Sequence, residues 1–325
     1  MPLPNQVHVD AVLTNMSLQI LQEPDSYIAC KVFPMVPSKK EADFYYKYQD
    51  SDFFKDQAKK RAPNTEAKIG DYSLTTDNFF CQEWSFGTDI SVREYENADN
   101  PLDPEGDATR FVTEILKIRK ERLWMENFFG ASIWGTDVQG GVGFTVWSDY
   151  TNGTPVADVK SWRRAVQLAT GKKPNKLVLT PDVWDVLCEA PDVKNRLQYN
   201  NTKYDQNGGN VTTGMVAMMM ELDEILIADA VYNTDEAPGS SSNAFIAGEK
   251  KALLCYAEPN PGIRRASAGY TFAWTGKQGV NSEAMFIATE EVPLRNTWER
   301  VEGSMFFQQK VVAASLGYYA YDVIA

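Results

Sequence analysis

From Pro104 to Phe129 the apolar residues recur at helical spacing: Phe111, Ile115, Ile118, Met125 and Phe129 fall on one face, with Val112, Leu116 and Leu123 beside it. Lys117, Arg119, Lys120, Glu121 and Arg122 occupy the opposite face, and Gly130 ends the run. The pattern predicts a helix over 104–129, roughly 35 to 40 Å long at 1.5 Å per residue, which suits a spine beneath a sheet. Downstream, "SWRRAVQLAT" (Ser161 to Thr170) predicts a second helix. "KLVLTPDVWDVL" predicts a buried strand turning into a third, with Thr180 as cap and Pro181 in its first turn, and "APDVKNRL" continues it. A Met-rich helix follows over Gly214 to Leu222, where a methionine run at helical spacing reads as core filler. "EILIADAVY" then predicts a strand, "AFIAGEKKALLCYA" a strand pair, and "MFFQQKVVAASLGYYAYDVIA" a long strand pairing back with earlier parts of the chain.

Upstream of the spine helix, "ADFYYKYQ" and "NFFCQEWSFGTDISVRE" are aromatic and β-branched with partial alternation. Between them "DQAKKRAPNTEAKIGDYSL" (56–74) is polar, charged and broken by Pro63 and Gly70. The three stretches read as one long hairpin. A two-stranded ribbon cannot bury both of its faces alone, so one this long needs something to lie on; a surface loop is the plainer alternative. The chain therefore divides into an arm and first strand (1–50), an extended loop (51–92), a unit containing the spine helix (93–154), an α/β unit (155–290) and returning strands (291–325).

Composition narrows the chemistry. With 325 residues, 43% of them hydrophobic, the chain has material for a sizeable core, and a net charge of -12 disfavours broad binding to nucleic acid. No apolar run is long enough to span a membrane, and "MPLPNQVHVD" lacks the pattern of a signal peptide, so a soluble, non-exported chain is expected. Cys30, Cys81, Cys188 and Cys255 lie far apart with no CxxC pair, which argues for reduced, packed thiols. His8 is the single histidine, so the common histidine-based relays lose their base. Nucleotide-binding, zinc-protease and nucleophile-elbow motifs are absent, and "GGVG" (Gly140 to Gly143) reads as a turn. The acidic run holding Asp99, Asp103, Glu105 and Asp107 does not have calcium-loop spacing; it suits a helix N-terminus, with Asp103 or Asp107 capping. No catalytic residue, metal site or cofactor is expected.

The order of these parts resembles the major capsid protein of tailed bacteriophages, with its Hong Kong ninety-seven type fold. "RAPNTEAKIGDYSLTTDNFFCQEWSFGTDISVRE" is similar to that family's extended loop and "NPLDPEGDATRFVTEILKIRKERLWMENFFG" to the entry of its spine helix. "PNKLVLTPDVWDVL", "LDEILIADAVYN" and "KKALLCYAEPNPGIRRASAGYTFAW" are similar to its axial domain, and the tail to the strand returning through its peripheral domain. The resemblance implies an α+β capsid fold: an N-terminal arm, an extended β-hairpin loop, a long spine helix under a sheet in a peripheral domain, and an α/β axial domain. It implies a structural protein, not an enzyme, that self-assembles into hexamers and pentamers of an icosahedral shell around double-stranded DNA. The virion is its location, with assembly in the host cytoplasm. Its partners would be copies of itself, a separate scaffolding protein, a portal and a decoration protein, with DNA held only by weak non-specific contact and no membrane. Only about fifty residues precede the hairpin, so the fused helical scaffold of some relatives is not expected.

On this reading the hairpin is a strap between subunits, with Lys55, Lys59, Lys60, Arg61 and Lys68 as contact residues and Asp99, Asp103, Glu105 and Asp107 as acidic partners on the next copy. Some relatives crosslink through a loop lysine, for which Lys55, Lys59, Lys60 and Lys68 are candidates by position, against ordinary solvated lysines. Pro34, Pro37, Pro63 and Gly70 sit where connectors would bend. An acidic inner surface would let packaged DNA move. Three rival readings stay open: the shell of a non-viral nanocompartment; a carboxylate-dependent hydrolase, which would need a pocket with paired acids of raised pKa; and, as the weakest, a surface-binding module such as a tail or adhesin component.

Overall fold

The computed structural model describes residues 22–48, 50–98, 103–200, 211–235, 242–262, 265–276, 285–291 and 297–325. The first 21 residues, including His8, lie outside the described residues, as does Asp99. A one-turn helix α1 (Ala29–Val32) precedes strands β1 (Met35–Ser38) and β2 (Ala42–Tyr48), helix α2 (Asp50–Phe53), and strands β3 (Leu74–Phe80) and β4 (Gln82–Ser91). Helix α3 (Val92–Glu96) leads to the spine helix α4 (Pro104–Phe128), then β5 (Thr136–Gln139), α5 (Pro155–Thr170), β6 (Lys176–Leu179), α6 (Pro181–Glu189), α7 (Pro191–Asn200) and α8 (Thr213–Met220). Strands β7 (Glu224–Ile227), β8 (Val231–Asn233), β9 (Asn243–Phe245), β10 (Lys251–Cys255), β11 (Gly269–Trp274), β12 (Met285–Glu291), β13 (Thr297–Val311) and β14 (Gly317–Tyr321) complete the chain.

Two five-stranded sheets organise these elements. The peripheral sheet runs β1-β11-β13-β12, with β4 also paired to β13, and the axial sheet runs β5-β14-β10-β6-β7. Side chains alternate through the axial sheet as strand geometry requires. Leu177, Leu179, Ala252, Leu254 and Ala320 face helices α5 to α8, packing with Trp147, Trp162, Val183, Leu187 and Met220. Val178, Leu253, Cys255 and Tyr319 face the other way, onto Phe33 of the segment after α1 and onto Trp124, Met125 and Phe129.

The spine helix joins the two cores. Ala108, Val112 and Leu116 pack on Val301, Met305 and Phe307 of the peripheral sheet, while Trp124 and Met125 belong to the axial core. At Gly303, where β13 passes under the helix, a Cβ would stand 2.6 Å from Val112 Cγ1 and 2.8 Å from Leu116 Cδ1. Gly303→Val is therefore expected to destabilise the subunit by about 1 to 3 kcal/mol through overpacking, read as a lower midpoint in thermal unfolding.

Several expectations are corrected. The spine helix ends at Phe128 with Phe129 as its C-cap, and its buried stripe is Ala108, Val112, Leu116, Lys120, Glu121, Trp124 and Met125. Phe111 is 46% exposed, and Lys120 and Glu121, which the pattern sends to solvent, are buried. The helix follows the i, i+4 row of residues that meets both cores, and the charged pair is accommodated individually. Lys120 Nζ lies 5.5 Å from the ring centre of Phe307, and the Glu121 carboxylate accepts the backbone N–H groups of Ile28 and Ala29 at 3.2 and 2.9 Å, holding the start of α1. Asp103 occupies the N-cap position of α4 without a side-chain bond to the helix. The Thr180 hydroxyl likewise turns from α6 to the backbone of Lys251. The helix expected from Ser161 begins at Pro155, because Val156 and Val159 already pack in the core.

Strand assignments shift too. The hairpin pairs β2 with β3, whereas β4 pairs with β13 in the peripheral sheet. "EILIADAVY" splits into β7, in the axial sheet, and β8, paired with β9. Strand β11, inside the 155–290 unit, and β12, which crosses its boundary at residue 290, both belong to the peripheral sheet. The tail is two strands, one in each sheet, separated by a short helical turn at Ala314–Leu316.

Candidate assembly surface

The β2–β3 ribbon is a sheet of two strands only, in the register Ala42↔Phe80 to Tyr48↔Leu74. Directly opposed residues share a face, so the alternation gives its two faces different chemistry. One face meets the body. Phe79 stacks on Phe272 with ring centres 4.4 Å apart, Tyr45 lies 5.5 Å from the same ring, and the two ends of the ribbon's root close through Cys81 N–H to Glu41 O at 2.9 Å. The other face carries Phe44 and Tyr46, 70% and 66% exposed, with Leu74 and Phe80 also exposed. Four large apolar side chains on one narrow face form a surface that water alone covers poorly.

Beyond the ribbon the loop is shaped by local bonds. Asp52 joins its two ends, bonding Lys55 Nζ at 2.7 Å through one carboxylate oxygen and accepting Ser73 N–H at 2.8 Å through the other. Those two bonds hold the Asp52 carboxyl at about 2. Phe53 and Tyr72 pack beside this neck with ring centres 6.1 Å apart. The tip turns at Ala62–Thr65, where Thr65 donates both its N–H and its hydroxyl to Ala62 O. Pro63 and Asn64, the latter at φ 62°, are the residue types such a turn favours. Gly70, the other breaker in the sequence, is not in the left-handed region. Residues 58–76 are all exposed, with Ile69 at 89%.

The five loop cations thus separate. Lys55 is occupied by Asp52, while Lys59, Lys60, Arg61 and Lys68 are exposed around the tip with no ion pair among the described residues. Of the acidic candidates, Asp107 stands 3.8 Å from Arg110 on its own helix, and Asp103 is exposed just before it. The chain does not bring the loop cations and these acids together. Sequence reasoning singled out the charges and missed the apolar face; the alternation of aromatic residues in "ADFYYKYQ" was the available signal.

A catalytic arrangement finds little support. The half-buried Asp158 has its carboxyl pushed up by burial, against bonds from Trp147 and Thr154 that lower it, with the Asp192 charge adding to the rise. Glu121 is sealed by the two amides it accepts. In the groove bordered by Lys31, Lys176, Asp223, Glu224 and Glu258, Glu224 is paired with Lys176 and Glu258 with Lys172 and Arg265. No cluster of three or more metal-binding side chains occurs among the described residues. No described helix is long and apolar enough to cross a membrane.

Peripheral sheet, ribbon, spine helix and axial sheet together make the capsid fold of tailed bacteriophages. The capsid structure of cyanophage P-SCSP1u matches with a TM-score of 0.58 at 11% identity, over 94% of this chain and 90% of that one. A phage-related protein from Bordetella bronchiseptica RB50 gives a TM-score of 0.66 at 18% identity over 93% of each chain. The SrpI encapsulin of Synechococcus elongatus PCC 7942 gives 0.53 at 13% identity, over 97% of this chain and 95% of that one. In sequence, the chain is 21% identical over 230 residues to the major capsid protein of Burkholderia phage BcepMu, spanning 70% of this chain and 71% of that protein. No protein-family model matches.

Proposed function

We propose that this chain is a major capsid protein, the building block of an icosahedral phage shell of hexamers and pentamers enclosing double-stranded DNA. The observation that carries the reading is the ribbon: one face is fixed to the body by Phe79 on Phe272, and the other presents Phe44, Tyr46, Leu74 and Phe80 to solvent. A second copy of the chain covers that face. Fully burying a large apolar side chain contributes about 1.5 to 3 kcal/mol, whereas each exposed ion pair contributes at most about 1 kcal/mol. The aromatic row therefore supplies the adhesion, while Lys59, Lys60, Arg61 and Lys68 at the tip select an acidic patch, with Asp103, Glu105 and Asp107 of the neighbour as partners. Closed symmetry repeats each contact around the shell. The role is structural, as the likeness to the BcepMu capsid protein supports. Scaffolding protein, portal, decoration protein and a weakly held genome complete the proposed set of partners, with the virion as location after assembly in the host cytoplasm. An acidic inner surface fits a chain of net charge -12.

Purified chain concentrated in solution is expected to give closed shells by size-exclusion chromatography and negative-stain microscopy. A monomer under all conditions would overturn the proposal. The encapsulin likeness makes an enzyme-holding compartment the second reading; particles from the native source that contain a cargo enzyme and no DNA would favour it.

A further inference from the structure

Where β3 runs past β13, the two strands are joined by side chains instead of a backbone ladder. Lys310 Nζ donates to Asp77 Oδ1 at 2.5 Å and to the Asn78 carbonyl oxygen at 2.6 Å. It also lies 5.6 Å from the ring centre of Tyr45, whose hydroxyl donates to the second Asp77 oxygen at 2.8 Å. Two residues earlier on β13, Gln308 Oε1 accepts the Phe80 N–H at 2.8 Å. One ammonium thus bonds β3 directly and meets β2 through the Tyr45 ring, at the point where the ribbon leaves the body. Phe272, against which Phe79 and Tyr45 pack, offers a flat pivot beside it. Stacked rings permit sliding and tilting, whereas a charge-assisted hydrogen bond has a preferred direction, so the pivot and the grip do different work.

We propose that Lys310 and Asp77 form a latch that sets the angle at which the ribbon departs from the peripheral sheet, and through it the curvature between copies; this rests on the capsid reading above. The side chains of Lys310 and Asp77 are 26% and 38% exposed, so water can replace the bond without leaving a buried charge. Such a contact biases one ribbon angle and still yields when a neighbour favours another. Burial pushes the Asp77 carboxyl up, but the Lys310 and Tyr45 bonds and the Asn78 N–H more than offset it and hold it below its ordinary range, so Asp77 is ionised at neutral pH.

The test uses spin labels on cysteines introduced at Ile69 and Val142, both exposed, with Cys30 and Cys188 replaced by serine. Distances between labels are measured by double electron–electron resonance on unassembled full-length subunits, and shells are sized by electron microscopy. In the wild-type background one distance is expected to dominate. Lys310→Met, which keeps the apolar stem on Tyr45, is expected to lower the ratio of latched to unlatched ribbon about tenfold, corresponding to about 1.4 kcal/mol, and to give shells of mixed diameter. Asp77→Asn, a second variant that leaves β13 intact, should act in the same direction. The exchange Lys310→Asp with Asp77→Lys should restore part of the single distance. An unchanged distance distribution in subunits of both single variants that unfold at the wild-type temperature overturns the latch. So does a broadened distribution accompanied by shells of uniform wild-type size. Failure of the wild-type chain to form shells overturns the capsid reading instead, and the subunit distances still decide whether the grip exists.

Discussion

Deletion of residues 56–70 is expected to leave a subunit that folds and stays soluble but, on the capsid reading, no longer closes shells. The deleted stretch contributes no residue to any hydrophobic cluster of the described chain, and nearly all of it is exposed. Its flanks already meet, through the Asp52 bond to Ser73 and the Phe53 contact with Tyr72, so the shortened chain rejoins without pulling on the ribbon. The loss of exposed loop residues removes no core contact, and a shorter loop closes at lower entropic cost. Assembly loses the cationic tip and the end of the strap in every copy at once. Size-exclusion chromatography, circular dichroism and electron microscopy of the deletion variant measure the two outcomes separately. Well-formed shells from it would mean that the tip is decoration and that the ribbon alone, or some other surface, holds the copies together.

Glu121 is expected to make the subunit less stable as the pH rises from about 4.5 to about 7. The residue is 1% exposed. Burial raises its pKa from 4.5 to about 7, against the lowering effects of the Ala29 and Ile28 amides and the charges of Lys120 and Lys31. Below about 4.5 both folded and unfolded chains hold the proton. Between the two values the folded chain keeps a proton that the unfolded chain has released, so stability declines by up to about 1.4 kcal/mol per pH unit. The loss over the window is about 3 kcal/mol and is complete above it. Carboxyls with lowered pKa, such as Asp52, Asp77 and Asp89, act in the opposite sense at lower pH, where protonation breaks their bonds. Thermal unfolding of wild type and Glu121→Gln at pH 5, 6, 7 and 8 isolates the effect: the variant should gain on the wild type with rising pH up to about 7 and hold its position thereafter. Parallel curves would show that the two amides offset burial fully and that Glu121 is ionised throughout.

Glu121 also illustrates what the sequence conceals. Within the helical pattern it sits in a run of charges and reads as solvent-facing, because amphipathic periodicity assumes one buried side. This helix has two, one for each core, and the second is made partly by the chain around residue 28, some ninety residues upstream. Glu121 is hidden for that reason, while Lys120 lies over Phe307 of the peripheral sheet and Phe111 falls off the buried row. The order of elements, by contrast, was legible, since the long helical run, the aromatic stretches around a charged excursion and the Pro-capped helices of the axial unit are all local signals. Strand membership was not. Whether β4, β11 and β12 join the ribbon, the axial sheet or the peripheral sheet depends on β13, a strand of 15 residues that pairs with all three. Of the candidate contact residues, the basic tip was visible as a cluster, but the capture of Lys55 by Asp52 and the grip of Lys310 on β3 exist only once the chain has folded.

A helix rooted in both cores fixes how the subunit carries load. The two sheets are bridged by one rod of 25 residues whose ends are anchored in different hydrophobic clusters, so a change in their relative angle would have to bend the helix or disturb one of the two cores. In a shell built from this chain, bending is then expected to fall outside the splint, at the narrow foot of each ribbon and in the seams between copies.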